Sequence, residues 1–288
     1  MIASAVAIPI LRKVYALIFP LLSYGRLFRQ ITANLHMLIT IRRAEKNKRL
    51  AVDMLQLMLD AEKEVAKPDC SKVGITDRHL VANCFVFLAG GFETTATTLA
   101  FVLYELARHP EEQDNLFQEL ARQSSWGSGP LSYDELQKLK RLDAVIMECL
   151  RLYPPIVLFT ARVCSCDAEL PGYSLPAGAH VVLPTWHIHH NPDIWAEPHA
   201  FNPGRFMPGH EDEERRHPAS YVPFGLGPRE CIGRRFAMLE LKTVLAKLVA
   251  NYVFSTCDKT KNPVKLTVPM VTVNPAEHIQ LRITRRNS

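Results

Sequence analysis

The sequence contains no internal repeat, no low-complexity tract and no polybasic block. The 34 basic residues exceed the 29 acidic ones by only five. So mild an excess, without a dense basic block, gives no argument for nucleic acid as a partner and leaves a weak attraction to anionic membrane surfaces. The seven cysteines, at 70, 84, 149, 164, 166, 231 and 257, are odd in number and irregularly spaced, which argues for reduced thiols over a disulfide scaffold. Cys164 and Cys166 lack the second pair or nearby histidine that a zinc site needs. The opening stretch "MIASAVAIPILRKVYALIFPLLSYGRLF" is broken by Pro9, Pro20 and Arg12-Lys13. Neither half approaches the ~20 apolar residues that span a bilayer. It also lacks a basic start and a small-residue cleavage pattern, so a signal peptide is not expected. An interfacial, membrane-touching segment fits its composition.

The 288 residues, 48% hydrophobic and 22% charged, suffice for one large or two modest domains. Periodicity predicts a helix over 26–65, whose basic patch (Arg42, Arg43, Lys46, Lys48, Arg49) reads as a solvated face. A linker, "KPDCSKVGIT", follows, with Thr76 or Asp77 capping a long helix to about His109. Helices are expected over 110–123 and from the capping box "SYDE" (Ser132, Glu135) to Leu152, where Pro154-Pro155 ends the pattern. Residues 156–185 read as short strands and turns, with "PGYSLPAGAHVVLP" as strand, turn, strand. A long loop covers 186–230, then a helix 233–251 and short β segments. The fold class is mainly α with a minor β portion.

Within the long helix, "FVFLAGGFETTATTLAF" (85–101) has features unsuited to a buried helix. Gly90 and Gly91 each cost about 1 kcal/mol relative to alanine. Glu93 and the threonines 94, 95, 97 and 98 then follow in an otherwise apolar run. On a helical projection Phe87, Gly90, Gly91, Thr94, Thr98 and Phe101 share one stripe, small at its centre, where a planar group could approach the backbone. A second unusual stretch is "PFGLGPRECIGRRFA" (223–237), in which Cys231 lies in a glycine-punctuated loop running into a helix. Amides at a helix start favour anions, and the glycines permit close approach. Arg229 offers a fork to a carboxylate. Those features suit a metal-ligating thiolate, a nucleophilic cysteine or an ordinary buried thiol. In "ECLR", Glu148 and Arg151 share a helix face, and flanking Val145, Cys149 and Leu152 imply that the pair is at least half buried.

Phe224, Gly225, Gly227, Arg229, Cys231 and Gly233 together form F-G-x-G-x-R-x-C-x-G, which resembles the haem-binding signature of the cytochrome P450 family. Other motifs of that family stand upstream in order. "ECLR" matches its E-x-x-R, and "NPGRF" supplies Arg205 as the third member of that network, although Gly204 stands where many members carry glutamate. "GGFETT" matches the oxygen-binding motif, and "TARVCSCD" places Arg162 at a haem-propionate position. The stretch with His187, His189 and His190 has no zincin-like spacing and matches the family's loop before P-x-R-F.

The resemblance implies a cytochrome P450-like fold, amino-terminally truncated, as one partial domain over 1–288. Residues 1–75 are then mid-chain helices near the membrane-facing region, 76–109 the oxygen-binding helix and 110–288 the helical and haem-binding core. It implies haem (iron protoporphyrin IX) with Cys231 as axial thiolate. Phe224, Gly233, Arg162 and Arg229 would hold the cofactor, and Glu93 and Thr94 would serve as the catalytic proton-handling pair. Substrate contacts are expected from Phe87, Gly90, Thr94 and Ile156 to Thr160. The activity implied is insertion of one oxygen atom from O₂ into a lipophilic small molecule. Electrons come from an NADPH-dependent flavoprotein reductase at the endoplasmic reticulum membrane, on its cytoplasmic face. Overall the pattern is most similar to the animal microsomal drug-metabolising branch, family three, over the carboxyl-terminal part of a member. Two other readings are a haem-thiolate isomerase of lipid peroxides, which the Glu93-Thr94 pair argues against, and a shortened chain that is inactive.

Overall fold

The computed structural model describes residues 23–44, 53–65, 74–123, 129, 131–157, 161–210, 216–269 and 271–286. The interfacial segment expected at the start of the chain lies almost wholly outside them. Contacts divide the chain into two units, Met1–Gly90 and Gly91–Ser288.

The first unit holds α1 (Ser23–Ala44), α2 (Met54–Val65) and the opening of α3 (Asp77–Arg108). The single helix expected over 26–65 is therefore two. The reason is a cap at Asp53, whose carboxylate accepts the Gln56 N–H at 2.9 Å, so a new helix starts there. Ile39, Leu55, Leu59, Leu80 and Val81 form the small core of this unit. The basic face is only partly solvated. Arg43 pairs with Glu62 (2.7 Å) and Asp77 (2.5 Å), and Arg42 with Asp53 (2.9 Å). Lys46, Lys48 and Arg49 fall outside the described residues.

The second unit contains the rest of α3, then α4 (Pro110–Ala121), α5 (Tyr133–Lys138) and α6 (Lys140–Leu152). Ser132 caps α5 through the expected reciprocal box with Glu135. Leu142, Val145, Ile146 and Cys149 recur at helical spacing on α6, and Leu241, Leu245 and Val249 on α8 (Arg234–Asn251). These stripes meet Phe101, Val102 and Leu106 of α3 and Leu116 and Leu120 of α4 in one core. Tyr153 stacks on Phe101 at 4.3 Å and donates its hydroxyl to buried Glu105 at 2.5 Å, fixing the end of α6 against α3. Among the described residues only α3 is long and apolar enough to cross a membrane, by length and composition.

Between α6 and α8 lie four short strands: β1 (Ala161–Val163), β2 (Ala168–Leu170), β3 (Tyr173–Leu175) and β4 (His180–Val182). "PGYSLPAGAHVVLP" does contain strand, turn and strand, but the two strands do not pair. β3 pairs with β2, and β4 returns to β1. A short helix α7 (Thr185–His189) opens the long loop. After α8, β5 (Tyr252–Ser255) pairs with β8 (Arg282–Arg285), and β6 (Leu266–Thr267) with β7 (Asn274–Pro275).

Candidate functional site

The cysteine loop is built from backbone geometry. Gly225 and Gly227 have φ of +74° and +75°, which side-chain-bearing residues adopt at a cost of about 1–2 kcal/mol. With those two turns made, the Cys231 N–H donates to the Phe224 carbonyl at 2.8 Å and the Glu230 N–H to the Gly227 carbonyl at 3.0 Å. The chain then enters α8 at Arg234, with Gly233 as a cap that offers no side-chain acceptor. The Arg234 N–H donates to the Cys231 carbonyl at 3.3 Å and the Ala237 N–H to the Gly233 carbonyl at 2.8 Å, so the cysteine sits at the helix start, an end favourable to an anion.

Phe224 packs on the core, and the Arg234 guanidinium lies over its ring at 5.9 Å. The cysteine itself is exposed. So are its large apolar neighbours Ile232 (79%) and Phe236 (68%). A β-carbon added at Gly233 would lie 3.9 Å from the Cys231 sulfur, so glycine keeps that side of the thiol open.

A buried polar network holds the stretch leading to this loop. Glu148 and Arg151 are wholly buried and joined by two hydrogen bonds of 2.8 Å. Arg151 also donates to the carbonyls of His189 (2.8 Å), Pro198 (2.7 Å) and Ala200 (3.2 Å). Arg205 reaches Glu148 at 3.3 Å and the Glu197 carbonyl at 3.0 Å, and the Asn202 N–H donates to Glu148 at 3.0 Å. The expectation of an at least half-buried pair with further partners is met, and glycine at 204 does not disturb it. His189 adds a link that motif reading misses. Its Nε2 accepts the N–H of Val222 at 2.9 Å, two residues before Phe224. Burial holds its pKa down to about 3, so the ring stays neutral and can keep accepting.

On α3, Glu93 is exposed, Thr94 half-buried, and Thr95, Thr97 and Thr98 buried. Thr98 donates back to the Thr94 carbonyl at 2.8 Å, as helix threonines often do. Thr97 instead donates to Oδ1 of Asn274 (2.8 Å), whose Nδ2 donates to Glu93 Oε1 (3.0 Å). An added β-carbon at Gly90 or Gly91 would meet nothing within 4 Å. Arg162 and Arg229 are both exposed, and Arg162 donates to the carbonyl of Ala161 at 2.8 Å. Of the expected substrate-contacting stretch, only Ile156 and Val157 fall within the described residues.

The cysteine loop fits a mostly apolar group bound through a thiolate: an exposed thiol stands at a helix start, with uncovered Ile232 and Phe236 near it in the chain. A mainly helical fold with a cysteine so presented is consistent with the class of haem-thiolate proteins. The family model for cytochrome P450 matches residues 9–283, and the chain belongs to that family. Rat cytochrome P450 3A2 is 38% identical over 246 residues, which cover 85% of this chain and 48% of the relative. Human cytochrome P450 3A5 is 37% identical over 236 residues, 82% of this chain and 45% of the relative. A putative cytochrome P450 of Caenorhabditis elegans, CYP13A2, is 38% identical over 247 residues, 80% of this chain and 47% of the relative. The chain spans about half the length of the curated relatives it matches. Haem is the cofactor of this family.

Proposed function

We propose that the chain is the haem-binding part of a monooxygenase that inserts one atom of O₂ into a lipophilic small molecule. Electrons reach it from NADPH through a flavoprotein reductase, at the cytoplasmic face of the endoplasmic reticulum membrane. The observation that carries this reading is the exposed Cys231, offered at the start of α8 by a loop tied to a fully buried Glu148–Arg151–Arg205 network. Cys231 would ligate the haem iron, Phe224 and Gly233 would shape the space around the sulfur, and Arg162 and Arg229 would hold the carboxylates. The haem supplies activation of dioxygen when bound. The protein's own part is to present the thiolate, to exclude water and to move protons. Glu93, exposed beside Thr94, is the proton carrier, and the Thr94 hydroxyl is the donor nearest to it in sequence. The reductase, the membrane site and the substrate class rest on resemblance to the microsomal branch of the family.

The test is the spectrum of the reduced carbon monoxide complex. The parent chain should show the red-shifted Soret band of a thiolate-ligated haem, and Cys231→Ala should lose it. A Cys231→Ala protein that keeps the band overturns the ligand assignment.

A further inference from the structure

Asn274 carries no role in the reading above, yet it is the residue that Glu93 touches. It stands on β7, and its side-chain amide is fully engaged. The Oδ1 accepts the Thr97 hydroxyl at 2.8 Å. The Nδ2 donates to Glu93 Oε1 at 3.0 Å and to the Thr272 carbonyl at 3.2 Å. The Thr272 carbonyl and the Glu93 carboxylate can only accept, so they fix the nitrogen end of the amide toward Glu93, and the Thr97 hydroxyl gives its proton to the oxygen end. Thr97 lies one helical turn after Glu93 on the same face of α3, and it is buried, as is Thr272. The amide is thus clamped at a helix on one side and at its own strand on the other. The carboxylate it grips is exposed, and among the described residues Asn274 is its side-chain donor.

The segment bearing Asn274 is itself anchored. The Val273 N–H donates to the Pro155 carbonyl at 2.8 Å, and Ile156 forms a β-bridge with Thr272. Ile156 begins the stretch, Ile156 to Thr160, that the family resemblance marks for substrate contact, and Pro155 immediately precedes it. One amide therefore connects that stretch to the carboxylate on α3.

We propose that Asn274 is the positioning residue for Glu93: oriented by the Thr272 carbonyl and held by the Thr97 hydroxyl, it sets the direction of the carboxylate, and through Pro155 and Ile156 it links that direction to the substrate-facing segment. The inference rests on the monooxygenase reading for what Glu93 does. A carboxylate that must both receive and release protons needs a defined resting orientation, and a single neutral donor supplies one without pairing it to a fixed charge.

The first readout needs no turnover. The infrared carboxylate bands of Glu93, isolated by subtracting the Glu93→Gln spectrum, should shift in Asn274→Ala as the hydrogen bond is lost. Thr97→Val should produce the same shift, and Thr97→Ser, which keeps the hydroxyl, should restore the parent position. The second readout is the share of O₂ released as peroxide by the haem-loaded chain with reductase and NADPH. That share should rise about fivefold in Asn274→Ala, the factor that one lost hydrogen bond implies, and Thr97→Ser should again match the parent. If Glu93→Gln raises the peroxide share but Asn274→Ala moves neither readout, the inference falls alone. If Glu93→Gln leaves the share unchanged, the proton role of Glu93 falls and takes the inference with it.

Discussion

Replacing Arg151 by lysine keeps the charge and should still damage the protein. A guanidinium carries five N–H donors, and Arg151 uses all of them: two on Glu148 and one each on the carbonyls of His189, Pro198 and Ala200. An ammonium has three donors on one atom, so at least two of those five bonds are lost in a fully buried site. At about 1–3 kcal/mol for each, the loss should be about 2–6 kcal/mol. With an m-value on the order of 2 kcal/mol/M, the urea midpoint should fall by about 1–3 M. Arg205 supplies the control, since it donates only to Glu148 and to the Glu197 carbonyl. A lysine can meet both, and Arg205→Lys should cost about 1 kcal/mol. Urea unfolding followed by circular dichroism gives both numbers, and hydrogen exchange at the Asn202 and Val222 amides should rise in the Arg151 variant. Equal losses at the two positions, or a loss below about 1 kcal/mol for Arg151→Lys, would refute the donor-count argument.

The neutral His189 should make the protein acid-sensitive in a defined window. Its pKa is about 3 when folded against an ordinary 6.5, so the unfolded chain binds more protons and stability falls as pH drops below 6.5. The loss should reach about 2 kcal/mol by pH 5, and His189→Gln, which can still accept the Val222 N–H without titrating, should remove that slope from urea-unfolding curves. Gly225→Ala places a side chain at φ +74° and should cost about 1–2 kcal/mol, whereas Gly233→Ala at φ −87° should stay within about 0.5 kcal/mol. Equal losses at the two glycines would show that the positive φ is not the cause.

The features legible in the sequence were those whose parts lie close together along the chain. The cysteine loop occupies ten consecutive residues, Phe224 to Gly233, and its glycines announce the turns they make. Glu148 and Arg151 are one helical turn apart, and apolar spacing on α6 shows which way they face. Asp53 is a local signal too, but a periodic apolar pattern over 26–65 hides a cap that a reader can find only by asking which side chain accepts the Gln56 amide. Strand partners were not legible because segments of three residues carry no register of their own. The turn at Gly172, where φ is +81°, closes β2 onto β3, and β4 pairs with β1 outside that hairpin. Considering His189 only as a metal ligand overlooks the commoner use of a buried imidazole as a neutral acceptor.

Glu93 and Asn274 are 181 residues apart, and nothing in the local sequence of either points to the other. The burial pattern explains why function and support differ so much in legibility. The groups proposed to act, Cys231, Glu93, Arg162 and Arg229, are exposed, while those that hold their surroundings, Arg151, Glu148, His189 and Thr97, are buried. A group that must meet a cofactor or a proton has to be uncovered in the chain itself, so its role shows in a short motif selected for chemistry. The groups that aim it are drawn from wherever the fold brings a donor within reach. Asn274 is proposed as such a group. The family resemblance supplies the role proposed for Glu93, and the folded chain supplies the amide that contacts it.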